Sequence, residues 1–224
     1  MSVIVVGAAD VAQARRPSCA ARARGANVLA ATSKAKLFQR GGSVYGCWRA
    51  TRRTTRLASG LSARCHYATR PSNMAGGYYE RFCHGVEMLG FPRLSGHFAA
   101  WVRGSDNEDA FTSKVTVADV RAGHGMYVAD SSTNSTSLTY FYVRSLALDG
   151  RGRTVWGTEW WSDGVCSFDC SAPPASSDNF EVWARDGSTR LLDSGAGVNP
   201  RSPTIRRTNA VWRRAGIEQT TPLR

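Results

Sequence analysis

What most constrains this chain is the lack of any sustained helical period. Beyond residue 14, no stretch keeps apolar residues at the spacing of an amphipathic helix. The nearest approach, Ala20 to Lys36, is Ala-rich but interrupted by Gly25 and by β-branched positions. Short runs rich in Val, Thr, Tyr and Trp dominate instead, punctuated by Gly, Asp-Gly and Ser. Branched and aromatic side chains fit a pleated, half-buried surface, so these runs read as strands and the fold as all-β. With 224 residues, 42% of them hydrophobic, the chain can bury a core as one large all-β domain or two small ones.

The runs resemble one another. One type joins small and aromatic residues and ends in a basic turn: Lys36 to Gly41, Phe98 to Gly104, Thr154 to Gly157 and Ala210 to Arg214. A second type follows each: Val44 to Arg49, Val115 to Gly123, Asn179 to Gly187, and a curtailed copy from Ile217 to Leu223. Trp101 precedes Trp156 by 55 residues, and Trp156 precedes Trp212 by 56. Four imperfect copies of a sheet unit is the economical reading. A single unit has two bare faces and cannot bury enough apolar area, so neighbours must cover them. Along one strand, Val115, Val117 and Asp119 would serve one face and Thr116, Ala118 and Val120 the other. The strand near Leu37 is expected to complete the curtailed last unit and close the ring.

At these residues the chain resembles β-propeller repeat proteins of the TolB-like and WD40-like kind, with Val117 to Gly123 as the best match. It also looks like secreted, actinobacterial-type proteins of unknown function, in the strand Tyr45-Gly46-Cys47 and in Leu94 to Ala100, read as one strand. The resemblance implies a propeller-like array of about four antiparallel sheet units, incompletely closed or closed, over residues 15–224 as a single domain. It implies no catalytic residues to carry over.

The N-terminus reads as an export signal, truncated or complete, over residues 1–14. Val3 to Ala9 is a short apolar run, and Ala12-Gln13-Ala14 fits a small-x-small cleavage site. Seven apolar residues fall well short of the roughly 20 that span a bilayer, so no transmembrane segment is expected. Six cysteines, Cys19, Cys47, Cys65, Cys83, Cys166 and Cys170, suit an oxidising compartment. Six cysteines leave roughly 15 pairings open. Nearness along the chain favours Cys166 with Cys170, Cys65 with Cys83, and Cys19 with Cys47. Two long loops, residues 61–90 and 162–178, would then be pinned by cysteines. The expected location is secreted or extracytoplasmic.

The formal charge of +12 invites a nucleic-acid reading, but its make-up argues against one. Only Lys34, Lys36 and Lys114 are lysines, and the arginines are scattered singly or in pairs rather than gathered on one face. Cys65-His66 and Cys83-His84 offer zinc-ligand types, yet their spacing fits a disulfide better than a metal site. The acidic stretch Asp106 to Asp109 lacks the spacing of a calcium loop and reads as a hairpin tip. No cofactor or metal is expected. Trp156, Trp160, Trp161 and Trp183 suit either core packing or a stacking platform for sugars. Trp160, Trp161 and Asp163, beside the second cysteine loop, are the candidate ligand-binding residues. No motif places a nucleophile, a metal or a phosphate cradle. The favoured function is an extracytoplasmic binding or interaction module for an unknown protein or cell-wall glycan, working through inter-strand loops. The alternative is a polysaccharide lyase or hydrolase in which a histidine converges with Glu159 or Asp163.

Overall fold

A computed structural model describes residues 18–66, 87–107, 110–122, 124–130, 139–162 and 180–224. Over these residues the protein is all-β apart from one helical turn, α1 (Cys19–Arg22). The strands fall into four antiparallel units in chain order. Unit 1 is β1 (Asn27–Ala31), β2 (Ala35–Arg40), β3 (Ser43–Trp48) and β4 (Arg53–Ala58). A linking strand, β5 (Leu61–His66), runs parallel to the first strand of unit 2. Unit 2 is β6 (Glu87–Ser95), β7 (Phe98–Asn107), β8 (Ala110–Asp119) and β9 (His124–Asp130). Unit 3 is β10 (Thr139–Leu148), β11 (Thr154–Ser162), β12 (Phe180–Arg185) and β13 (Thr189–Ser194). Unit 4 has three strands, β14 (Thr204–Arg206), β15 (Asn209–Arg214) and β16 (Ile217–Pro222). Units 2 and 3 share one hydrogen-bonded sheet, joined where Tyr140 lies opposite Phe111.

The repeat seen in the sequence is a structural one. Its first type supplies the second strand of every unit, β2, β7, β11 and β15, and its second type the third strand, β3, β8, β12 and β16. Side chains alternate across each strand, so an interior unit feeds two interfaces. Ala99, Trp101, Ala118 and Val120 pack with Ala35, Leu37 and Val44 of unit 1. Ala100, Val102, Val115 and Val117 pack with Val143, Leu146 and Trp156 of unit 3. Val155, Val182 and Ala184 then meet Val198, Ala210, Trp212 and Leu223 of unit 4. Each tryptophan of the second strand therefore packs on the preceding unit.

The array is not a closed ring. Neighbouring units touch through β1 and β6, β6 and β10, and β10 and β14, while no comparable contact among the described residues joins unit 4 to unit 1. The expectation that the Leu37 strand completes the last unit is thus corrected. Leu37 lies on β2, paired with β1 and β3, and its side chain is buried against unit 2. Two smaller expectations also change. Leu94 to Ala100 is a hairpin rather than a strand, because Gly96 takes a φ of +59° and lets Ser95 pair with Phe98. Residues 61–90 are not all loop, since β5 and the start of β6 lie inside that range.

Unit 4 is seated by a backbone wedge. The Ser145 hydroxyl donates to the Pro200 carbonyl and accepts from the Gly157 N–H. A β-carbon at position 157 would overlap that carbonyl, which explains the glycine beside Trp156. Arg153 is buried at the unit 3 turn, where it is paired with Asp149 and donates to the carbonyls of Leu223 and Arg207.

Candidate functional site

Strand directions decide where the long connections emerge. β6, β8 and β10 run the same way, while β7 and β11 run against them. Segment 67–86 enters β6, 108–109 joins β7 to β8, 131–138 enters β10, and 163–179 follows β11. Segments 108–109, 131–138 and 163–179 attach at one end of the array by both of their termini, and 67–86 reaches that end where it enters β6, having left β5, which runs parallel to β6. The opposite end carries short turns, including Gly96-His97 and Asp149 to Arg153.

Midway along its length, β10 carries a bulge: its register against β11 slips between Val143 and Ser145. A bulge turns a side chain away from the regular alternation. Here the residue is Arg144, whose side chain is only 2% exposed. Its Nε donates to Glu159 Oε2 at 2.6 Å, and its guanidinium carbon sits 4.6 Å from the centre of the Tyr142 ring. Its Nη1 is buried without a hydrogen-bond partner. On β12, Glu181 accepts from the Trp183 indole N–H at 2.7 Å and from the Thr158 hydroxyl at 3.1 Å. Both carboxylates are thereby committed to donors.

Between the first strands of units 2, 3 and 4 lies a cleft of about 490 Å³. Arg93, Arg144 and Arg201 line it together with Phe91, Leu146, Leu148, Pro203 and Ile205, and among the described residues no acidic one does. Arg93 is fixed in place, its Nε donating to the Leu146 carbonyl and its Nη1 to that of Pro92.

The sequence candidates are placed as follows. Trp160 is half-buried on β11, next to Glu159 and near the loop-bearing end. Trp161 pairs opposite Tyr140 in the β10–β11 ladder. Its side chain and Asp163 lie outside the described residues. Trp156 is fully buried core, and Trp183 packs against the same cluster. Cys19 and Cys47 form a buried disulfide, as proximity suggested. The Cys65 side chain, Cys83, Cys166 and Cys170 lie outside the described residues, as does the segment 1–14. Asn107 pairs with Ala110, while Glu108 and Asp109 of the acidic stretch lie outside the described residues. Among the described residues no cluster of potential metal ligands occurs, and no helix is long and apolar enough to cross a membrane.

The convergence required by a lyase or hydrolase does not occur among the described residues. His97 lies in the β6–β7 turn at the far end, 3.7 Å from Asp119 and edge-on to Trp48. Glu159 stands near the other end in its ion pair with Arg144. Sequence reasoning missed the arginines of the cleft, treating them as surface charge. Arg144 had one available signal: it is the lone charge within the otherwise apolar run Tyr140 to Leu148.

No protein-family model matches the chain, and no curated protein does. Two solved structures are similar in fold. A luciferin-regenerating enzyme aligns over 85% of this chain and 52% of its own, at 7% identity and a TM-score of 0.35. An α-L-arabinanase of Penicillium chrysogenum, complexed with arabinobiose, aligns over 80% and 47%, at 15% identity and a TM-score of 0.33. The chain spans about half the length of these structures. Neither likeness assigns it to a family.

Proposed function

We propose that this protein is an extracytoplasmic binding module that takes a protein or a cell-wall glycan on its loop-bearing end. The observation that carries this reading is topological: the segments holding Cys83, Cys166 and Cys170 attach at the same end of a rigid stack of sheets. Binding residues concentrate on loops that a scaffold positions. In this reading Trp160, Trp161 and Asp163 contact the ligand, the remaining cysteines pin the loops, and residues 1–14 direct export. The buried Cys19–Cys47 disulfide supports an oxidising compartment. The polysaccharide-degrading alternative has no described histidine beside Glu159, which is held by Arg144, while His97 and Asp119 pair at the opposite end.

The test is binding of the immobilised full chain to a panel of cell-wall polysaccharides and to surface proteins, beside the triple variant Trp160→Ala, Trp161→Ala, Asp163→Asn. Buried aromatic anchors dominate interfaces, so the triple variant is expected to lose at least about tenfold in affinity. Equal binding by both proteins, or no ligand in either panel, would overturn the reading.

A further inference from the structure

We propose that the cleft between β6, β10 and β14 binds a small organic oxyanion, a carboxylate or phosphate carried on a compact body with an apolar side. The site is separate from the loop-bearing end, and its argument does not depend on that reading. Among the described residues, three arginines and no carboxylate line a concave surface, which concentrates positive potential where an anion would enter. The Glu159 carboxylate neutralises Arg144 from outside the lining but leaves Arg93 and Arg201 uncompensated, since neither makes an ion pair among the described residues. Arg144 also lines the cleft, and Arg is the side chain best shaped to meet an oxyanion.

Backbone geometry supports a built site. Phe91 lines the cleft with a φ of +48°, a conformation that L residues avoid, inside the bulge that separates Gly90 from Arg93. That bulge and the one at Arg144 aim two arginines from adjacent first strands toward the same space. Phe91, Leu146, Leu148, Pro203 and Ile205 give the opposite character, a surface for an apolar face of the ligand. The volume of about 490 Å³ suits a molecule of monosaccharide size better than a polymer.

Isothermal titration of the full chain with acetate, inorganic phosphate and galacturonate, each against sodium chloride at equal ionic strength, tests this. At least one probe is expected to bind saturably, at one site, with affinity that falls as salt rises. Binding by the two carboxylates alone assigns a carboxylate site, and binding by phosphate alone a phosphate site. Arg201 is exposed, so Arg201→Ala should retain the wild-type unfolding midpoint while weakening binding about tenfold. Arg144→Met should abolish binding, and Arg201→Ala keeps the test valid if that variant does not fold. No saturable binding by any probe, or wild-type affinity in both Arg93→Ala and Arg201→Ala, would overturn the proposal.

Discussion

Phe38 of unit 1 and Trp156 of unit 3 hold equivalent places in the repeat, yet different things cover them. Trp156, like Trp101 and Trp212, packs on the unit before its own. Among the described residues no sheet unit precedes that of Phe38. Its ring stacks on Tyr45 at 5.5 Å and is buried against Cys19, Ala23 and Cys47. The helical turn α1 and its disulfide therefore occupy the position of a missing neighbour. Ser18 caps the turn, and Arg40 fastens its end by donating to the carbonyls of Arg22 and Arg24. Stacked repeats need such terminal covers, because an apolar face left open invites aggregation. Unit 4 instead exposes polar side chains, among them the Arg206–Glu218 pair, beside the exposed Ile217. The first and last described units thus differ in chemistry, one faced by a covalent staple and one by a mostly polar surface.

Substitutions sharpen this contrast. Trp156→Ala removes a side chain covered from both sides and should cost about 4–5 kcal/mol in urea unfolding. Trp212→Ala, at the end unit, should cost less, about 3 kcal/mol, because its side chain retains some exposure. Equal losses would break the comparison. Replacing Cys19 and Cys47 together by Ser opens a link between residues 28 apart and should cost about 3–4 kcal/mol, together with an increase in dye-binding apolar surface. Gly157→Ala should lift the Pro200 wedge, lose about 1–3 kcal/mol and raise proteolysis between units 3 and 4.

The smallest effect is expected at the chain end, where Asp186 accepts from Arg190 and from the Arg224 N–H. Burial acts to raise the Asp186 pKa, but the Arg190 hydrogen bond, the Arg224 N–H and the two positive charges together lower it below 3.8. A carboxyl with a depressed folded pKa contributes stability above its unfolded pKa, and that contribution fades as pH falls through the folded value. Asp186→Asn should therefore cost roughly 0.5 kcal/mol at neutral pH and nothing in strong acid. A cost that persists below the folded pKa would assign Asp186 a packing role instead.

How legible the molecule was in its sequence follows from the same geometry. Second and third strands of the interior units could be read because each serves two dry interfaces and so carries an uninterrupted apolar run, as in Phe98 to Val102. First strands could not. β1, β6 and β10 each contain a bulge, between Val28 and Ala30, Gly90 and Arg93, and Val143 and Ser145. A bulge shifts the two-residue period by one, which erases the alternation on which a strand assignment rests. The bulges of β6 and β10 lie beside the cleft, so the features that hid those strands also hid Arg93 and Arg144. The Cys19–Cys47 pairing was legible from proximity, whereas its role as a stand-in for a sheet unit needed the position of Phe38.

Native-state hydrogen exchange tests the open array most directly. If the two interior units are covered by sheets on both sides and unit 4 on one, amides of β7, β8 and β11 exchange only through global unfolding. Those of β15 and β16 exchange earlier, through local opening. Protection in β15 and β16 equal to that in β7 would mean that unit 4 is covered on both faces, and would contradict the account.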